Sequence, residues 1–209
     1  MDTQPVEQST ETSTKPLLDF EGYPDESYQL DVYSAAMDLM TNEIYSTPIS
    51  ILDIGCASGK FPILLQQVSP HFADISYKGI DRNPNAVNYA THYIWEKYKE
   101  GNVKFEHADV FELKDQKFDY CFLNSFFNIK EQDDMQVYMD AVLDHVYQHL
   151  CRKGMAFNFY WPLNDEDGGD LLATEYELGS LVEKLVRKFK KVVVKSDYAS
   201  GESFIFIYK

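Results

Sequence analysis

Apolar runs in this chain repeatedly end on an acidic residue, at a spacing that suits a nucleoside-bearing ligand. The first run, Ile49 to Ile54, carries Asp53 and opens into Gly55-Cys56-Ala57-Ser58-Gly59, after which Phe61 starts a helical pattern. Glycines at 55 and 59 allow a sharp bend and let a ligand approach the backbone closely. The next run, Tyr77-Lys-Gly-Ile-Asp81, sets Asp81 about 20 residues beyond that turn, where a carboxylate can accept from ribose hydroxyls. A third stretch, Glu106-His-Ala-Asp-Val-Phe111, puts Asp109 just past a strand end, where it can accept from an adenine amino group. Arg82 and Val110 adjoin these two acids and join the candidate site. Each acid also has a plainer role. Asp53 either caps the turn or contacts the ligand, directly or through water, while Asp81 and Asp109 also fit ordinary helix-flanking and turn chemistry. At Cys56 the expectation is a backbone contact rather than thiol chemistry.

The elements that must hold these residues can be read from periodicity. Residues 27–45 place Leu30, Tyr33, Ala36, Met37, Met40 and Ile44 at helical spacing. Strand-like runs follow at 49–54, 75–80, 103–107, 118–124 and 155–160, the last opened by Gly154. Between them lie helical patterns at 61–68, from Pro84 to about Tyr98 with Asn83 as N-cap, and at 134–150. A helix carrying Leu178 to Phe189 precedes two β-rich runs, 191–195 and 203–208, with 196–202 as the loop between them. Alternating strands and helices imply a parallel sheet covered on both faces. The last two runs must be antiparallel, since their connection is too short for a crossover. The fold class is therefore α/β, a doubly wound, mostly parallel seven-stranded sheet closing in an antiparallel hairpin. Residues 1–16, rich in Thr, Ser, Gln and Glu, read as a flexible tail, and 17–209 as one domain.

Composition bounds the partners. Of 209 residues, 44% are hydrophobic, with 14 Phe and 15 Tyr, enough for a sizeable core, and the net charge is −15. So acidic a surface repels nucleic-acid backbones and anionic membranes, leaving a small-molecule substrate as the expected partner. Cys56, Cys121 and Cys151 show no paired spacing, so neither a disulfide framework nor zinc is expected. No run reaches the ~18 apolar residues of a membrane span, and no signal sequence is evident, so the expected location is the cytoplasm. His145 and His149 stand at i, i+4, but no third ligand is in view and no metal is expected. His107 reads as a core histidine, more remotely as a base.

Asp53-Ile-Gly-Cys-Ala-Ser-Gly-Lys-Phe61 resembles the nucleotide-binding turn of class I S-adenosylmethionine (SAM)-dependent methyltransferases. Asp81 and Asp109 fall where that family keeps its ribose and adenine acids, and the terminal hairpin separates it from ordinary dinucleotide-binding domains. The C-terminal half also resembles a subgroup of bacterial methyltransferases. The resemblance covers roughly residues 27–209. It implies a Rossmann-like fold, SAM as cofactor and S-adenosylhomocysteine as product. One departure is Ala57, where the family's turn has a glycine; at positive φ an alanine costs roughly 1 kcal/mol. The resemblance places Asn124, in Leu123-Asn-Ser-Phe-Phe-Asn128, beside the transferred methyl group, orienting acceptor or cofactor, or merely capping the turn. Relatives that methylate adenine or glutamine carry prolines here, and this chain has none. The family's N-terminal segment often covers the cofactor, which makes 17–48 a lid region with Tyr23, Tyr28 and Gln29 as candidates. Trp161 and the acidic loop 164–170 lie on the same rim, as a gate or as a solvated connection. The expected activity is methyl transfer to a small molecule by in-line displacement. Alternatives are a methyltransferase-like scaffold without activity, or a protein or RNA methyltransferase. A nicotinamide-dependent enzyme would need Gly-x-Gly-x-x-Gly, which Gly55-Cys-Ala-Ser-Gly59 does not supply.

Overall fold

The computed structural model describes residues 26–40, 43, 48–69, 71–97, 102–114, 116–128, 134–160, 176–198 and 201–209. Tyr23, Trp161, loop 164–170 and the 1–16 segment lie outside them. Seven strands form one sheet in the order β3-β2-β1-β4-β5-β7-β6. They are β1 (Ile49–Ile54), β2 (Ile75–Asp81), β3 (Val103–His107), β4 (Phe118–Leu123), β5 (Cys151–Tyr160), β6 (Val192–Lys195) and β7 (Glu202–Tyr208). The first five pair in parallel, and β7 runs antiparallel to both β5 and β6. The order reverses between β1 and β4, so a crevice opens at the carboxyl ends of those two strands.

Side-chain alternation divides the core. Leu52 and Ile54 of β1, Met155, Phe157 and Phe159 of β5, and Ile205 and Ile207 of β7 pack with α4 (Met135–His145) and α5 (Leu178–Phe189). Ile49 and Ile51, Ala156, and Phe204 and Phe206 face α1 (Glu26–Met37) and α2 (Phe61–Val68) on the other side. α3 (Pro84–Lys97) packs beside β2 and β3. Phe61 joins the second layer through Tyr33, Tyr77 and Phe122, at ring separations of 5.0, 6.4 and 5.1 Å.

Three differences from the sequence reading have physical causes. The first helix ends at Met37, where a 3-10 turn (Asp38–Met40) takes over, and Leu30 is exposed while Val32, Ala35 and Leu39 are buried. The 134–150 pattern is α-helical only to His145; Val146–Leu150 is π-helical, which keeps Val146 and Leu150 buried as the chain turns into β5. Finally, β7 starts at Glu202, which is fully buried rather than part of the loop. Among the described residues no helix is long and apolar enough to cross a membrane.

Candidate functional site

The turn after β1 is built around positive φ angles at Gly55 (76°), Ala57 (45°) and Gly59 (75°). A Cβ on Gly55 would lie 2.8 Å from the Phe126 ring, and one on Gly59 2.7 Å from Phe105 and 2.8 Å from Ala90. Both sites thus need glycine for conformation and for space. Ala57 occupies the costly left-handed region, at about 1 kcal/mol. Its N–H, however, donates to Asp81 Oδ2 at 3.0 Å, so the strain is held by the carboxylate that ends β2. Gly55 and Cys56 both give their N–H to the Ile80 carbonyl, at 2.8 and 3.0 Å, and the Cys56 carbonyl accepts from Gly59. The Cys56 thiol is buried, and its main chain is spent within the turn. Gly59→Val is expected to weaken cofactor binding at least tenfold and lower the melting temperature, because ring and turn cannot both keep their places. A thermal melt together with a binding titration checks this; wild-type values in both would mean the loop tolerates a side chain.

Three strand ends converge on this turn. Asp81 accepts from Asn83 N–H through Oδ1 at 2.8 Å and from Ala57 through Oδ2, leaving further lone pairs toward the crevice. Asp109 caps the 3-10 turn Val110–Glu112, accepting from Phe111 N–H at 2.9 Å, while Glu112 reaches back to the Asp109 N–H. Its Oδ2 lies 3.9 Å from the exposed Arg82 guanidinium, and Val110 is buried beneath. His107 is exposed, and its Nε2 meets the Arg82 carbonyl at 3.0 Å. The core reading of that histidine is therefore wrong: β3 is the edge strand, and its outer positions face water.

Asp53 is 2% exposed. Tyr77 donates its hydroxyl to Asp53 Oδ2 at 2.5 Å, and Oδ1 is buried with no hydrogen-bond partner among the described residues. Burial pushes this carboxyl up to about 7; the Tyr77 hydroxyl pulls it down in part, and the Asp81 charge adds to the rise. At the end of β4, Asn124 is 8% exposed and both its amide atoms lack partners among the described residues. Ser125 follows at φ 53° and donates its N–H to Asn158 Oδ1 at 2.5 Å. Orphaned buried polar atoms are expensive unless a ligand completes them. Asp53 Oδ1 and the Asn124 amide are two such groups, at the carboxyl ends of β1 and β4 beside the crevice.

A second polar group lies on the same rim and went unread in the sequence. Glu202 Oε1 accepts from Asn158 and, at 3.2 Å, from Asn128; Oε2 accepts from the Tyr28 hydroxyl. Burial raises the Glu202 carboxyl above its ordinary value, and these donors with Tyr198 offset part of the rise. The Asn128 side chain also accepts from the Tyr160 N–H at 3.2 Å. The signal was present but weak: Glu202 shares its strand face with Phe204 and Phe206, and Asn158 interrupts an apolar run. Next to Tyr28, Gln29 is buried and accepts from Lys60 Nζ at 2.9 Å, just beyond Gly59. α1 therefore ties the glycine turn to the β5–β7 rim through two consecutive residues. The His145 and His149 rings lie 5.2 Å apart, tilted by 40°, at the end of α4 and in the π-helical turn beyond it.

Similarity to known proteins agrees with this geometry. A magnesium protoporphyrin IX methyltransferase from Synechocystis, solved with bound SAM, aligns over 88% of this chain and 80% of its own, at 16% identity and TM-score 0.65. A SAM-dependent methyltransferase from Aquifex aeolicus aligns over 92% of this chain and 98% of its own, at 15% identity and TM-score 0.62. No curated protein matches the sequence. Residues 46–194, with the glycine turn, both strand-end acids and the switch in strand order, match the methyltransferase domain family, and the chain belongs to it with the Rossmann-like class I fold.

Proposed function

We propose that this protein is a SAM-dependent methyltransferase acting on a small molecule. The observation that carries the reading is Asp53 Oδ1, a buried carboxyl oxygen without a partner among the described residues, beside a glycine turn and two further strand-end acids. The neighbours solved with SAM and S-adenosylhomocysteine support the cofactor, and the magnesium protoporphyrin IX enzyme among them supports a small acceptor. A net charge of −15 disfavours RNA. Three buried free cysteines suit a reducing cytoplasm.

When bound, SAM supplies a methyl group already activated by its sulfonium. Asp53 Oδ1 takes the methionine ammonium, and Asp81 accepts from the ribose hydroxyls with its remaining lone pairs. Asp109 and Val110 serve the adenine edge, with Arg82 fixing the Asp109 carboxylate. Gly55, Cys56, Ala57 and Gly59 supply the shape of the cradle. Asn124 orients the acceptor or the methionine end with its free amide. Tyr28 and Gln29 hold α1 over the crevice and exclude water, which strengthens the contacts inside. Tyr23 and Trp161 are proposed as further parts of that cover. Holding the acceptor near attack distance is the main task left to the protein.

Calorimetric titration with SAM, with NAD as control, tests the reading. Binding of SAM alone is expected; no binding of SAM would favour a scaffold that has lost catalysis. The pH dependence adds a sharper test. Asp53 must ionise to hold an ammonium, so with a free-state pKa of about 7 SAM affinity falls as pH drops below that value. The limiting slope is roughly tenfold per unit. Tyr77→Phe removes the one contact that lowers this pKa, so the fall begins at higher pH; Asp53→Asn abolishes the slope. The same shift acts on stability with the opposite sense. A carboxyl raised from 3.8 to about 7 makes the ligand-free fold less stable as pH climbs through that window, because the folded state holds the proton longer. A pH-independent SAM affinity between 5 and 7 would remove Asp53 from the ammonium site.

A further inference from the structure

A groove of about 650 Å³ lies on the opposite side of the sheet's long axis from the crevice. Its walls carry Lys114, Lys117, Arg152, His145, His149 and Gln148. Lys114 and Lys117 precede β4, Arg152 is the second residue of β5, and the others lie on α4 and the π-helical turn. Lys114, Lys117 and Arg152 therefore cluster at the amino ends of β4 and β5, whereas the glycine turn is at carboxyl ends, about 20 Å away along a six-residue strand. The Leu113 and His145 wall comes nearer the Val110 segment, His145 standing 5.3 Å from the Phe111 ring.

The charge pattern is what singles this groove out. In a chain with 34 acidic and 19 basic residues, no acidic residue lines it among those described. Five lysines elsewhere are paired with carboxylates among the described residues: Lys78 with Glu106, Lys153 with Glu43, Lys184 with Asp140, Lys188 with Asp144, and Lys195 with Asp38. Lys114 and Lys117 have no carboxylate partner among the described residues, and Arg152 makes only a 3.4 Å contact to the Ser50 hydroxyl. The two imidazoles alone would be explained by the partial negative charge of a helix C-terminus. Lys114, Lys117 and Arg152 come from other segments, so that explanation does not reach them. Three fixed cations without a carboxylate partner among the described residues repel one another around one concavity until an anion neutralises them, and the Gln148 amide and the two imidazoles add polar groups to its wall.

We propose that this groove binds a small multivalent oxyanion of the phosphate type, at a site separate from methyl transfer. A long polyanion is disfavoured, since the chain's overall negative charge repels phosphates beyond the groove's edge. The test uses the whole protein at pH 7 in about 50 mM salt, titrated with inorganic triphosphate in the presence and absence of S-adenosylhomocysteine. Saturable binding is expected, weakened by raised salt. Lys114→Ala/Lys117→Ala, and separately Arg152→Ala, should each lose roughly tenfold or more in affinity. These side chains are exposed, so melting temperature and SAM affinity should stay at wild-type values. Absence of triphosphate binding, or binding that the variants leave unchanged, would overturn the proposal. So would a short single-stranded oligonucleotide that binds more tightly than triphosphate and is lost in the same variants, since that makes the groove a nucleic-acid contact. Because the readout is triphosphate affinity, it stands whether or not SAM proves to be the cofactor.

Discussion

Asp81→Ala is expected to weaken both SAM and S-adenosylhomocysteine by about 100-fold or more while leaving the fold intact. The carboxylate does two things at once. Its spare lone pairs are the proposed acceptors for ribose hydroxyls, and its Oδ2 holds the Ala57 N–H at 3.0 Å. Two lost charge-assisted hydrogen bonds, at about 1.5 kcal/mol each, account for the factor. Release of Ala57 from its left-handed conformation, φ 45°, adds to it, because the turn then relaxes away from the shape that receives the ligand. Asp81 is only partly buried, so the melting temperature should move little. Asp81→Asn keeps one acceptor and should fall between. Calorimetry on the three proteins decides the matter, and wild-type affinity in the alanine variant would remove Asp81 from the ribose site. Equal losses for SAM and its product are part of the expectation, since the ribose is common to both.

Glu202→Ala should destabilise the protein by about 3 kcal/mol or more, enough to lower the melting temperature of a chain this size by roughly 10 °C. The cost comes from the donors left behind. Asn128, Asn158 and the Tyr28 hydroxyl all converge on this carboxylate, in a setting where Glu202 itself is wholly buried. Glu202→Gln keeps the shape but turns an amide N–H₂ toward those donors, so it also destabilises, to a smaller extent. Its pH dependence separates charge from packing. Burial lifts the Glu202 carboxyl above 4.5, so the wild type gives up stability as pH rises from 4.5 through the raised value, whereas the glutamine does not titrate. The gap between wild type and Glu202→Gln should therefore narrow with rising pH across that window. A gap that widens would mean that the ionised form is the one the site favours. Tyr28→Phe removes the hydroxyl that joins α1 to Glu202 and Tyr160, and its effect on melting should be smaller than that of Glu202→Ala.

These two residues also show what kind of information a sequence carries. Asp81's place at a strand end was legible because it is set locally: a strand of fixed rise ends there, and the glycine turn stands a set number of residues before it. The same holds for the strand limits at Ile49–Ile54 and Val103–His107 and for the helix Phe61–Val68, where pattern and punctuation coincide with the elements found. Asp53, Gly55, Gly59 and Asp109 belong to that class. Glu202 was not legible, because its meaning depends on partners as many as 174 residues away along the chain. Read alone, a glutamate after Ser200-Gly201 looks like loop chemistry, and its partners look like ordinary surface amides.

The sequence by itself determined the alternation of strands and helices, the antiparallel close of the sheet, and the glycine turn with its strand-end acids. All of these follow from periodicity and residue type within short stretches. Tertiary structure alone decided which buried groups lack partners among the described residues, since Asp53 Oδ1 and the Asn124 amide are defined by what fails to reach them. It also decided that Gln29 and Tyr28 bridge the glycine turn to the β5–β7 rim, and that Lys114, Lys117 and Arg152, cations from two segments, share one groove. Each of these is a sum over residues distant in sequence, and in each the free energy depends on burial, which no local pattern specifies.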